Sequence, residues 1–165
     1  MISPNSNTAT VELAIPMRAE YVSIARLTAA GVANRVGFDI DAIEDIKVSL
    51  SEVCNRIINM QGKYAGGHDA GCKIEFVISG KSLSINFHMN NMEPMSHFIP
   101  KGSASEAEAY GQSGVNIDLE NIAGDRPAEE QYEDQLQLSL ITILMDEFIV
   151  NPSENCLVSM KKYVD

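Results

Sequence analysis

Residues Ile43 to Ile58 read IEDIKVSLSEVCNRII, and the spacing of their apolar side chains decides the fold. Ile43, Ile46, Leu50, Val53, Cys54, Ile57 and Ile58 recur at a 3.6-residue period. They therefore form one stripe of a helix whose face is buried in a core. Glu52 falls nearly opposite that stripe, in a polar row with Asp45, Asn55, Arg56 and Asn59 that faces water or a ligand. The helix is expected to open at Asp39 or Asp41, and Asp41 with Glu44 has capping-box spacing. Just upstream, Ala19 to Asn34 predicts a second helix, with Tyr21, Ile24, Ala25, Leu27, Thr28 and Val32 near one stripe and Gly37 as its stop.

Strand signals flank the helix pair. Thr10 to Ile15 alternates strictly, with Val11, Leu13 and Ile15 on one face, and Pro16 ends it. Beyond a Gly-rich connection, Cys72–Ser79 and Ser82–Met89 alternate on either side of Gly80-Lys81, which predicts a β-hairpin. Periodicity then fades from Asn90 to about Glu133, a length that marks a functional lid or a disordered excursion, with a short helix possible around Ser105–Tyr110. Leu136 to Val150 is so densely apolar that it predicts a helix buried on more than one side, stopped by Asn151-Pro152-Ser153. Cys156 to Val164 alternates again. The expected architecture is a single domain over 1–165 with a flexible leader at 1–9. Its class is an α/β (α+β) two-layer sandwich with helices on one face of a mostly antiparallel sheet.

The chain has 165 residues and carries 12 Lys+Arg against 23 Asp+Glu, a formal net charge of −11. Such an excess of acid repels phosphate, so nucleic acid and anionic membrane are poor partners, and a basic protein surface is a better one. No apolar run approaches the roughly 18 to 20 residues of a membrane span. The N-terminus lacks a charged region followed by an apolar one, so no export signal is expected and the cytoplasm is the expected compartment. Cys54, Cys72 and Cys156 are widely spaced and read as three reduced thiols. His88 and His97 with Met89, Met92 and Met95 raise the idea of a soft-metal site, but the convergent spacing of ligands is missing and no metal is expected.

Four strings resemble the anti-sigma-factor serine kinases of the RsbW and SpoIIAB type, within the GHKL (Bergerat-fold) ATPases. They are AEYVSIARLT at 19–28, IEDIKVSLSEVC at 43–54, and LMDE at 144–147 together with VSMKKY at 158–163. The resemblance implies a GHKL-like fold. It also implies an ATP and magnesium site, phosphorylation of a serine on an anti-anti-sigma (STAS-type) protein, capture of a sigma factor, and a homodimer. Its nucleotide site is built from an E-x-x-x-N box, a D-x-G box after the hairpin, and a G-x-G turn before the last helix.

Carried over residue by residue, Glu52 matches the general base of the first box. Arg56 stands at the magnesium position and Asn55 one residue early. Arginine offers donors and no lone pair, so it cannot ligate a hard cation, and an i,i+4 pair with Glu52 is its simpler role. Met89 and Asn91 stand at the Asp and Gly positions of the second box, and methionine cannot accept the adenine amino hydrogen as a carboxylate does. Glu133-Asp134-Gln135-Leu136-Gln137 replaces the third box, so Asp134, Gln135 and Gln137 stand where backbone would approach phosphate. The Asp69-Ala70-Gly71 string lies before the hairpin instead of after it, and Ser113-Gly114 lies too far upstream of the LMDE string to substitute. Arg26 matches an arginine that the family uses at its partner surface.

The expectation is a partner-switching regulator of transcription, a pseudokinase that binds a sigma factor or an anti-anti-sigma protein as a homodimer through an exposed first strand, with no cofactor. The alternative is an active ATP- and magnesium-dependent serine kinase in which Glu52 is the base and 90–133 the lid. A third reading gives the remodelled pocket another small ligand.

Overall fold

The structure is a computed structural model, and it describes residues 8–64, 71–90, 98, 128–153 and 155–165. The described elements run β1 (Thr8–Pro16), α1 (Ala19–Val36), α2 (Ile40–Tyr64), β2 (Gly71–Ser79), β3 (Ser82–Met89), α3 (Ala128–Leu144), β4 (Glu147–Ser153) and β5 (Cys156–Tyr163). The strands form one antiparallel sheet in the order β1-β2-β3-β5-β4. This is the expected GHKL-like sandwich, with the helices on one face.

α2 builds the core as its stripe requires. Ile46, Leu50, Val53, Cys54 and Ile57 are fully buried, and so are Ile74, Phe76, Ile85, Phe87, Val158 and Met160 from the central strands. Gly37 closes α1 in the left-handed region at φ 101°, with its N–H directed at the carbonyls of Ala33 and Asn34. A side chain would be strained there. The hairpin turn uses the same freedom at Gly80, at φ 57°.

Several boundaries differ from expectation. α2 is capped by Asp39, one of the two expected openings, whose Oδ1 accepts the Ala42 N–H at 2.8 Å, and not through the Asp41–Glu44 spacing. α1 buries the small residues Ala25, Ala29 and Ala33 with Val32, while Leu27 is 74% exposed and Ile24 44%. Small side chains let α1 lie close against α2, and this turns the large ones outward. Thr8 and Ala9 belong to β1 and not to a leader, and α3 already runs from Ala128, inside the expected 90–133 lid.

The largest correction lies in 136–150, which is not one helix. α3 ends at Leu144, and Glu147–Ser153 forms the edge strand β4, paired with β5 from Glu147↔Lys161 to Ser153↔Cys156. Phe148-Ile149-Val150 is as good a strand as a helix on local pattern alone, and pairing with β5 decides. α3 is also buried on one side only, since Leu136 and Ile143 are 58% and 77% exposed. The expected short helix at 105–110 and the Ser113-Gly114 string lie outside the described residues, as do Asp69 and Ala70.

Lys162 ties the layers together. Its side chain rises from β5 to the helix side, where Nζ donates to Asp45 Oδ2 of α2 at 3.1 Å and to the carbonyl of Leu144, the last residue of α3, at 2.6 Å. A cation at a helix C-terminus also complements the helix dipole. Asp45, read from sequence as part of a free polar row, is spent on this tie.

All three cysteines are free and buried. Burial pushes the Cys72 thiol up to about 12, against an ordinary 9.0, and raises Cys54 and Cys156 in the same direction. These thiols are inert in the fold.

Two outcomes follow. Lys162→Met keeps most of the stem's volume but loses both bonds, and is expected to cost about 2 kcal/mol, a fall of about 4–8 °C in melting temperature, read by thermal denaturation. The thiols stay protonated in the fold while the unfolded chain ionises them above its ordinary value. The folded state therefore binds more protons, and stability is expected to fall as pH rises from about 9 toward 12. Urea titrations at pH 8 and 10 check this, and Cys72→Ala should flatten the slope.

Candidate functional site

The wheel of α2 is wider on its buried side than its apolar stripe. Ser49, Val53, Arg56 and Met60 recur every three or four residues and all are buried. Arg56 therefore sits on the flank of the core and not in the exposed row with Asn55 and Asn59, which do face solvent. Among the described residues it is the largest fully buried side chain, 2% exposed.

A charge buried this deeply must be paired and hydrogen-bonded. Arg56 Nε donates to the carbonyl oxygen of Phe98 at 2.6 Å, and Nη1 lies 2.8 Å from Oδ1 of Asp134 on α3. The guanidinium also stands over the Phe98 ring, 5.2 Å from its centroid, in cation–π geometry. One side chain thus joins α2, residue 98 and α3. The expected i,i+4 pair with Glu52 gives way to these partners, because the Arg56 side chain points inward and Glu52 lies half-buried at the edge.

The other anticipated positions are distributed around this cluster. Met89, at the end of β3, is 1% exposed on the helix-facing side of the sheet, opposite Cys72 in β2. Gln135 is buried on α3, Asp134 and Gln137 are half-buried, and all three lie well inside the helix. Asn91 lies outside the described residues. Arg26 is exposed on α1. Phe98 was missed by sequence reasoning, and nothing in its own neighbourhood, Ser96-His97-Phe98-Ile99, signals a buried carbonyl acceptor. Arg56 and Asp134 were both singled out, but 78 positions of separation hide their pairing.

The donor set does not suit a hard cation. Magnesium takes oxygen lone pairs in octahedral array, whereas Arg56 presents N–H groups alone, and Asp134 is engaged with it. Met89 supplies no charged acceptor for an amino group. Chemically, the cluster is suited to holding two helices and a loop position together.

The open face of the sheet carries a second polar set. Asn86 Nδ2 donates to Glu75 Oε2 at 3.0 Å, Ser159 Oγ donates to Asn86 Oδ1 at 2.7 Å, and His88 Nε2 lies 3.5 Å from Glu75 Oε2. The Asn86 amide leads the effects that hold the Glu75 carboxyl below its usual range. His88 and Met89 are adjacent on a strand and point to opposite faces, so they do not converge. Among the described residues no group of three His, Cys, Asp or Glu is placed to hold a metal ion. His97, Met92 and Met95 lie outside the described residues.

Residues 15–162 match a family model described as a histidine kinase-like ATPase domain. The chain is 34% identical over 161 residues to proteins named Serine-protein kinase RsbW from Bacillus cereus (strain AH820), Bacillus anthracis (strain A0248) and Bacillus thuringiensis (strain Al Hakam), covering 93% of this chain and 84% of each relative. Among the described residues no helix is long and apolar enough to cross a membrane.

Proposed function

The chain belongs to the histidine kinase-like ATPase domain family, in the anti-sigma-factor kinase group of its RsbW relatives, and we propose that it acts as an anti-sigma factor in transcriptional control. In this reading it captures a sigma factor and releases it when an anti-anti-sigma (STAS-type) protein competes. The observation that carries the proposal is the family match over residues 15–162 together with 34% identity over 93% of the chain. Arg26 supports it, being exposed on α1 at a position that resembles the family's partner surface. The acidic balance of −11 suits a basic partner. A homodimer would use the edge strand β1, most of whose residues are exposed.

Two forms of this function differ at one step. The name of the relatives, serine-protein kinase, favours a chain that phosphorylates a serine of the anti-anti-sigma protein at the expense of Mg-ATP, with Glu52 as base. The buried Arg56 and its pairing with Asp134 favour a chain that captures its partner without a nucleotide step.

Affinity purification from the native host followed by mass spectrometry tests the shared reading. A sigma factor or a small anti-anti-sigma domain is expected to co-purify, and recovery of neither would sink it. Arg26→Ala is expected to reduce capture tenfold or more while leaving the melting temperature within about 1 °C, as for other exposed substitutions. Incubating the recovered pair with γ-labelled Mg-ATP separates the two forms by transfer of label to the anti-anti-sigma protein.

A further inference from the structure

We propose that Arg56 is an internal cation standing where the relatives' resemblance places magnesium and nucleotide, so that the chain ties α2, residue 98 and α3 together by itself and takes no Mg-ATP. This deepens the second form given above and rests, for its biological meaning, on the anti-sigma reading.

Three features of the structure converge on it. The first is charge balance. Arg56, 2% exposed, has the carboxylate of Asp134 at 2.8 Å from its Nη1, and its Nε donates to the Phe98 carbonyl at 2.6 Å. A magnesium ion brought into this cluster adds like charge beside a buried guanidinium, where screening is weak. A polyphosphate approaching Arg56 must first displace Asp134 from it.

Backbone supply is the second. A phosphate cradle needs N–H groups with no partner of their own, and in a helix those are the first four. α3 begins at Ala128, so Asp134, Gln135 and Gln137 occupy its interior, where backbone N–H groups are committed to carbonyls one turn back. Where the family resemblance implies a glycine turn, α3 is continuous helix.

The third is the position of the second box. Met89, 1% exposed, is packed into the core across from Cys72, and its backbone N–H donates to the Asn155 carbonyl at 2.9 Å. Neither its side chain nor its amide is available to read an adenine edge.

The test uses the full chain and Mg-ATP as the probe. Wild-type protein titrated with Mg-ATP to 1 mM is expected to give no binding heat and a melting temperature shifted by less than about 1 °C, whereas a micromolar ligand would raise it by several degrees. Asp134→Asn, which leaves the buried guanidinium without its counter-charge, is expected to lower the melting temperature by about 5–10 °C. The Arg56→Met, Asp134→Leu double variant is expected to recover most of that loss, because an apolar pair replaces a buried ion pair at little cost. Micromolar binding of Mg-ATP, or an Asp134→Asn protein that melts with wild type, would overturn the proposal. If Asp134→Asn fails to fold, the double variant and the wild-type titration still decide. Failure to capture any sigma factor, with the melting pattern as expected, sinks the anti-sigma reading and still supports the internal cation.

Discussion

The burial of α2 is the constraint from which the rest of the structure follows. A helix of 25 residues with one continuous apolar face has to find a wide apolar surface, and a single helix does not offer one. The central strands β2, β3 and β5 do, through Ile74, Phe76, Ile85, Phe87, Val158 and Met160. Once α2 lies on the sheet, α1 has to fit beside it. The small residues Ala25, Ala29 and Ala33 meet that requirement at the cost of leaving Leu27 in water. α3 takes the other flank, and there the apolar stripe runs out. α3 packs there through Ile141 and Leu138, and Arg56 adds an ion pair to Asp134.

Two cations hold α3, one toward each end. Lys162 reaches up from the sheet to the last carbonyl of the helix and to Asp45 of α2, and Arg56 reaches across from α2 to Asp134. The two ties differ in kind. Lys162 is 14% exposed and its partner Asp45 36%, so water can substitute at modest cost, whereas Arg56 is sealed. Breaking a sealed pair leaves an uncompensated charge in low dielectric, and that asymmetry makes Arg56 the more consequential of the two.

The layers and their order were legible because each depends on a local period. α1, α2, the β2–β3 hairpin and β5 all carry alternation or a 3.6-residue repeat strong enough to read alone. β4 was not legible, since Phe148-Ile149-Val150 follows Leu144 without a breaker and acquires its strand character from pairing with β5. The site was legible in its membership and not in its wiring. Arg56, Asp134, Met89 and Gln135 stood out because they depart from a family pattern. Their contacts depend on where α3 begins and on which way the flank of α2 is covered, and neither is written in nearby residues. Phe98 contributes a backbone carbonyl, an atom every residue has, so its identity carried no signal.

The acidic excess acquires a structural reading from this wiring. Acidic side chains in front of the last helix look, in sequence, like a field that merely repels phosphate. In the fold, Asp134 is the counter-charge that permits an arginine to be buried at all, and Arg56 in turn permits Asp134 to sit half-buried against α2. Either change alone places an unpaired charge in the flank of the core. Each charge is accommodated through the other, and the tie between α2 and α3 needs both.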